Sequence, residues 1–209
     1  MKIETSCSPR FGAKYINQVK AGKYISQTKK YSDVQLNFVR IEPDNTQDIN
    51  ALSDAANYWR YDKFAKNIYY AACAVRNKSK YYKNNVIYAL TSQTENHSNL
   101  NSDKLLGLVH ISPSYDSSVL IERIQVNPEM IYCRIPEYKG LGTAMLNSLK
   151  NLYDIITCHP ATEKSVKDFY YKNDFKPKPN NIDELIWTKQ PEAPHLEPID
   201  KFQLLLTSK

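Results

Sequence analysis

Apolar and polar positions alternate through Val34-Gln35-Leu36-Asn37-Phe38-Val39-Arg40-Ile41. A period of two predicts a half-buried first strand, which Pro43 and Asp44 end. The period then changes. Ala51, Leu52, Ala55, Ala56 and Trp59 recur at three to four and predict a helix over 48–60. Phe64, Ile68, Ala71, Ala72 and Val75 predict a second helix over 63–75, with a short junction at Tyr61-Asp62. Three apolar runs follow as strands, over 85–91, 104–111 and 119–126. The first two are separated by a polar stretch rich in Asn and Ser, read as a long hairpin loop, and Pro113 and Asp116 mark the turn after the second. Leu141, Met145, Leu149 and Leu152 return to helical spacing. Residues 154–158 read as a short buried strand, 162–175 as a helix that stops near Asn173 with Thr162 as a candidate cap, and 184–188 as a last strand. No internal repeat is visible.

Glycine placement sharpens this pattern. Only five glycines occur in 209 residues, and two of them frame Gly140-Leu141-Gly142 at the head of an apolar helix. Glycine admits unusual dihedrals and close approach of another group. The first turn of a helix leaves N–H groups unpaired and carries a partial positive charge. Together they make an anion site suited to a phosphate or pyrophosphate. A tight turn into a core helix gives the same pattern without any ligand.

Three segments in order carry a family resemblance. Ile121-Glu122-Arg123-Ile124-Gln125-Val126-Asn127-Pro128 resembles a strand ending in Val-x-Pro. Glu137-Tyr138-Lys139-Gly140-Leu141-Gly142 resembles the motif Arg/Gln-x-x-Gly-x-Gly/Ala. Phe169-Tyr170-Tyr171-Lys172-Asn173-Asp174-Phe175 resembles Phe-Tyr-x-Lys-x-Gly-Phe. By these, over about residues 105–176, the chain resembles the GNAT superfamily of acetyl-CoA-dependent N-acetyltransferases. It departs from the pattern at Glu137, at Asp174 and in the longer connection from Glu129 to Pro136.

The resemblance implies an α/β (α+β) fold: a single domain with a mixed, mostly antiparallel sheet, helices on both faces, and the fourth and fifth strands splayed apart. It implies acetyl-CoA as co-substrate, with no metal. Backbone groups of Ile124, Gln125 and Val126 would pair with the pantetheine arm. Lys139, Gly140, Leu141, Gly142 and Thr143 would surround the pyrophosphate. Arg134, Lys164, Lys167 and Lys172 are further cations that could meet phosphates or remain solvated. Tyr170 matches the family tyrosine that protonates the leaving thiolate, with Tyr171 as the fallback and a core aromatic as the plain alternative. Glu122 is the candidate base, and otherwise a surface carboxylate paired with Arg123. Alternation puts Glu122 on the side of Ile124 and Val126, opposite Gln125. Tyr58, Trp59, Tyr61 and Asp62 at the helix junction are candidate acceptor contacts, Trp59 equally a core residue.

Bulk properties narrow the remainder. The net charge of +6 suits an acidic ligand such as CoA or nucleic acid, or serves solubility. Cys7, Cys73, Cys133 and Cys158 are scattered without metal-ligand spacing. They point to free thiols in a reducing, cytoplasmic compartment. The neighbours Cys158 and His159 would lie on opposite faces of a strand, which argues against a thiol nucleophile. No apolar run is long enough to span a bilayer, and the N-terminus lacks the apolar stretch of a signal peptide.

Three segments are expected: a basic N-terminal arm at 1–33, the catalytic domain at 34–190 and a Pro-containing tail at 191–209. From Thr5 to Ser32 there are six basic and no acidic residues. The arm reads as a solvated extension, with a targeting or secretion leader and a nucleic-acid-binding arm as alternatives. The function expected is acetyl transfer to a primary amine on a small molecule, a protein lysine or a protein N-terminus. Two readings stand beside it. One is a toxin- or effector-like acetyltransferase acting on tRNA or a host protein. The other is a catalytically poor binding module, favoured by Glu137 and Asp174.

Overall fold

Strand after strand buries alternate residues on two faces, and each face has its own helices to cover it. The computed structural model describes residues 12–59, 63–95, 99–114, 117–179 and 181–190. Among these, nine strands form one sheet: β1 (Lys14–Ile25), β2 (Lys30–Arg40), β3 (Val86–Thr91), β4 (Leu105–Pro113), β5 (Val119–Val126), β6 (Tyr138–Lys139), β7 (Ile155–Cys158), β8 (Lys176–Lys178) and β9 (Asn181–Thr188). Their spatial order is β6-β1-β2-β3-β4-β5-β7-β9-β8. Only β5 and β7 pair in parallel; the other neighbours are antiparallel. The helices are α1 (Thr46–Tyr58), α2 (Phe64–Arg76), the single turn α3 (Glu129–Tyr132), α4 (Leu141–Leu152) and α5 (Lys164–Lys172). The α+β architecture implied by the resemblance is the one observed.

One core lies between the sheet and α1 with α2. Ile49, Leu52, Ala55 and Ile68 meet Val39, Ile41, Ile87 and Leu108 there. Asn45 starts α1 by accepting the N–H groups of Gln47 and Asp48 at 2.8 and 3.2 Å. The start of α2 is capped from across the sheet: Ala65 N–H donates to Oε1 of Gln125 on β5 at 2.6 Å. The second core is built by α4, whose Leu141, Met145, Leu146 and Leu149 pack with Phe38, Leu90, Val109 and Ile121. Burying each such side chain stabilises the fold by about 1.5–3 kcal/mol.

The N-terminal segment differs from expectation. Residues 14–25 and 30–40 form a long antiparallel hairpin inside the sheet, and the boundary expected at 33/34 falls within β2. Val19, Ala21 and Leu36 are buried in the α4 core. Residues 14–32 are thus part of the domain. Their basic residues hid the pattern because one face of the hairpin is polar. The helix expected over 162–175 is shorter, with Glu163 rather than Thr162 at its N-cap. Residues 1–11 and 191–209 lie outside the described residues.

Candidate active site

The parallel pair β5–β7 holds for three residues only, Val119 to Ile121 against Ile156 to Cys158. Beyond Ile121, β5 runs on to Val126 with no described strand on that edge. The two strands therefore open a cleft, and the backbone of residues 124–126 runs along it with no described strand paired on that edge. At Glu122 a β-bulge interrupts the ladder with β4: His110 faces Arg123, and Ile111 faces Ile121.

A cavity of about 680 Å³ fills this cleft. Ile124, Gln125 and Val126 form one wall, and Lys139 through Thr143 close one end. Phe169 and Tyr170 come from α5, and Arg134 and Lys164 are not among its lining residues. Gly140 takes the N-cap position of α4 with φ of 76°, a left-handed conformation that glycine adopts without strain. No side chain caps this helix and its first turn is free of acidic residues. The first intrahelical bond is Ala144 N–H to Gly140 C=O at 2.9 Å. The N–H groups of Leu141, Gly142 and Thr143 thus precede that ladder, as an anion site requires. A Cβ on Gly140 would meet nothing within 4 Å, whereas one on Gly142 would lie 3.0 Å from the Phe169 ring. Gly142 makes room for Phe169 at least as much as for any ligand. These features fit a pyrophosphate at the helix end and an extended amide-bearing arm along β5.

The departures from the motif have local partners. Glu137 pairs with Lys23 of β1 at 3.4 Å and is not among the cavity's lining residues. Asp174 takes the left-handed φ of 63° where the motif has glycine, and it pairs with Lys150 at 3.3 Å. Asp tolerates that region better than most residues.

Tyr170 is 5% exposed and lies beside Cys158. Burial, then Cys158, pushes its phenol pKa above the ordinary value, so the hydroxyl stays protonated. Burial likewise pushes the Cys158 thiol up to about 12. That inert thiol is no nucleophile. Tyr171, the fallback, is 44% exposed and is not among the cavity's lining residues.

Glu122 stands where two cavities meet. The bulge, not strand alternation, sets its direction. Ile121, Ile124 and Val126 face the α4 core, while Glu122 Oε1 accepts the Ser112 hydroxyl at 2.6 Å. Its Oε2 lies 3.9 Å from the Arg123 guanidinium. Glu122 and Arg123 also line the second cavity, of about 790 Å³, under α2. Tyr70, Tyr81, Tyr82, Lys80, Lys83 and His110 surround it. His110 stacks on Tyr82 with ring centroids 6.4 Å apart. Burial lowers its pKa to about 4, against a smaller upward pull from Glu122.

The expected acceptor contacts are placed elsewhere. Tyr58 is 74% exposed at the end of α1, Trp59 is buried in the α1–α2 core, and neither borders these cavities. Tyr61 and Asp62 lie outside the described residues. The residues that do line the second cavity come from α2, the α2–β3 connection, β4 and β5. Tyr81 and Tyr82 between Lys80 and Lys83 were the signal in the chain, but an irregular connection has no period to show its direction.

No family model and no curated protein matches this chain. Solved structures do. The structure of AtaTR bound with AcCoA superposes with a TM-score of 0.50 at 15% identity, covering 73% of this chain and 92% of that one. The fold is that of the GNAT acetyltransferases. A GNAT-family acetyltransferase from Desulfovibrio desulfuricans gives 0.49 at 13% identity over 74% of this chain and 98% of its own. The N-acetyltransferase PseH of Campylobacter jejuni, in complex with acetyl coenzyme A, gives 0.46 at 11% identity over 73% and 99%. No helix among the described residues is long and apolar enough to cross a membrane.

Proposed function

We propose that this chain transfers an acetyl group from acetyl-CoA to a primary amine by direct attack. The observation that carries this reading is the cleft where β5 leaves β7, ending at the glycine-headed, uncapped start of α4. The GNAT-type fold and the AcCoA bound in the AtaTR structure favour the same co-substrate here.

Bound acetyl-CoA supplies an acyl group activated as a thioester. The backbone of Ile124 to Val126 orients the pantetheine arm as an added strand would, and the first turn of α4 holds the pyrophosphate. Amines are mostly protonated at neutral pH. Glu122, at the junction of the two cavities, accepts the amine proton directly or through one water. The nitrogen bonds to the acyl carbon and the carbon–sulfur bond breaks; Tyr170 gives the departing sulfur its proton, and the second proton lost by the nitrogen restores the phenol through solvent. The second cavity then receives the acceptor, with Glu122 and Arg123 at its inner end.

Incubation with labelled acetyl-CoA and a panel of amines tests the reading. Acetyl-CoA binding and amine-dependent release of the CoA thiol are expected. A folded protein that binds no acetyl-CoA would defeat it.

A further inference from the structure

We infer that the acceptor is an amine whose far end carries an anionic group, a phosphate or a carboxylate, rather than a polycation. The inference rests on the acetyltransferase reading for the role of the cavity, and on the cavity itself for its chemistry. Lys80, Lys83 and Arg123 line it against one carboxylate, Glu122. Arg123 faces Glu122 at 3.9 Å and lies over the Phe64 ring. Lys80 and Lys83 form no ion pair among the described residues. His110 adds no charge at neutral pH, because burial holds it neutral.

The charge is therefore divided: one carboxylate, with Arg123 beside it, at the inner end next to the acyl groove, and two ammonium groups without a carboxylate partner among the described residues on the α2–β3 connection, Lys80 lying 5.0 Å over the Tyr81 ring. An amine drawn to Glu122 leaves its other end among lysines. A second ammonium there would be repelled, and an anion would be held by charge-assisted hydrogen bonds. His110 is 6% exposed and lines the cavity with its ring stacked on Tyr82. Tyr70 and Tyr81 are 54% and 79% exposed, with Lys66 and Lys80 over their rings at 5.7 and 5.0 Å.

Calorimetry with a matched set of probes tests this: O-phosphotyramine, tyramine without the phosphate, and spermidine. Coenzyme A is titrated first. Failure to bind it defeats the acetyltransferase reading alone, and the probes are then measured on the free protein. Otherwise they are measured on the protein saturated with CoA, so that the phosphate does not report the glycine loop. O-phosphotyramine is expected to bind about tenfold or more tightly than tyramine, the effect of one charge-assisted hydrogen bond. The preference should vanish in Lys80→Glu/Lys83→Glu and persist in Lys20→Glu/Lys30→Glu, which changes net charge equally on the N-terminal hairpin. Equal or tighter binding of tyramine or spermidine, binding of none of the probes, or an unchanged preference in Lys80→Glu/Lys83→Glu would overturn the inference.

Discussion

Tyr31 donates its hydroxyl proton to the Pro136 carbonyl at 2.8 Å across 105 positions of sequence. That bond ties the N-terminal hairpin to the segment leading into the glycine loop. Three other contacts act alongside it. Tyr24 N–H donates to Glu137 C=O at 2.8 Å, β6 pairs with β1 at Gly22 and Lys23, and the Lys139 ammonium sits 3.9 Å over the Tyr31 ring. Tyr24, Tyr31 and the backbone of Gly22 and Lys23 thus brace the loop from behind.

Deleting residues 1–32 is therefore expected to abolish acetyl-CoA binding and to destabilise the whole domain, because β1 and the start of β2 go with them. Tyr31→Phe is the milder probe. It should lower stability by about 1 kcal/mol, as for one lost hydrogen bond, and weaken acetyl-CoA binding by loosening the loop. Denaturant unfolding and calorimetry check both. A truncated protein that folds and binds as the full chain does would show that the hairpin is dispensable.

The two loop glycines should respond differently. Gly140→Ala meets open space but must hold a φ of 76°, a strain of about 1–2 kcal/mol, visible as lower stability. Gly142→Val places its Cβ 3.0 Å from the Phe169 ring and pushes that ring into the cleft. A folded Gly142→Val protein should lose acetyl-CoA affinity, read by calorimetry. Retained affinity would place the co-substrate elsewhere.

Tyr170→Phe keeps the ring packing against Phe169 and Phe175 and removes the hydroxyl. Turnover should fall by about 10²-fold or more with little change in acetyl-CoA affinity, as for loss of a general acid. The substitution also alters the contact with Cys158. Cys158→Ala alters the same contact and leaves the phenol, so it separates the two effects: it should keep most of the turnover. Equal losses in both variants would make Tyr170 a structural residue.

What was legible in the chain follows from periodicity. The stripe Leu141, Met145, Leu149 marks α4 because that helix buries a full face, and β5 was bounded correctly at Val119 and Val126. The glycine loop was legible because Gly140 needs its backbone and Gly142 its missing side chain. Strand β1 was not read, because Lys14, Lys20 and Lys23 lie along it and its burial is partial. Glu122 lies on the face opposite to Ile124 and Val126, where alternation places it with them. A bulge adds one residue without altering composition, so alternation counted across it gives the wrong face. The second cavity is assembled from α2, the α2–β3 connection, β4 and β5, a convergence that only the folded chain makes evident.

Glu122→Gln should lower kcat/KM most near neutral pH and progressively less at high pH, where free amine is plentiful. The amide oxygen can still accept from the Ser112 hydroxyl, so the local packing survives the change. A pH–rate profile reads the difference. A loss independent of pH would assign Glu122 to structure.

His110 gives a prediction for stability. Its folded pKa of about 4 lies below the ordinary imidazole value of 6.5, chiefly through burial, with Glu122 pulling it up and Arg123 down. The unfolded chain therefore binds the extra proton first. The neutral imidazole leaves stability intact above pH 6.5, and stability falls as pH drops from 6.5 toward 4. At pH 5 the loss is about 2 kcal/mol relative to pH 7. Asp48 acts in the opposite sense: burial raises its pKa to about 6, so its protonation below that value favours the fold. Wild type alone would mix the two. His110→Phe keeps a ring beside Tyr82, removes this titration and leaves Asp48 in place. Denaturant unfolding of both proteins at pH 7 and pH 5 isolates the histidine. On acidification the variant should lose about 2 kcal/mol less than wild type, or gain where wild type is level. Parallel pH dependence in the two proteins would mean that His110 titrates normally and that water reaches its ring.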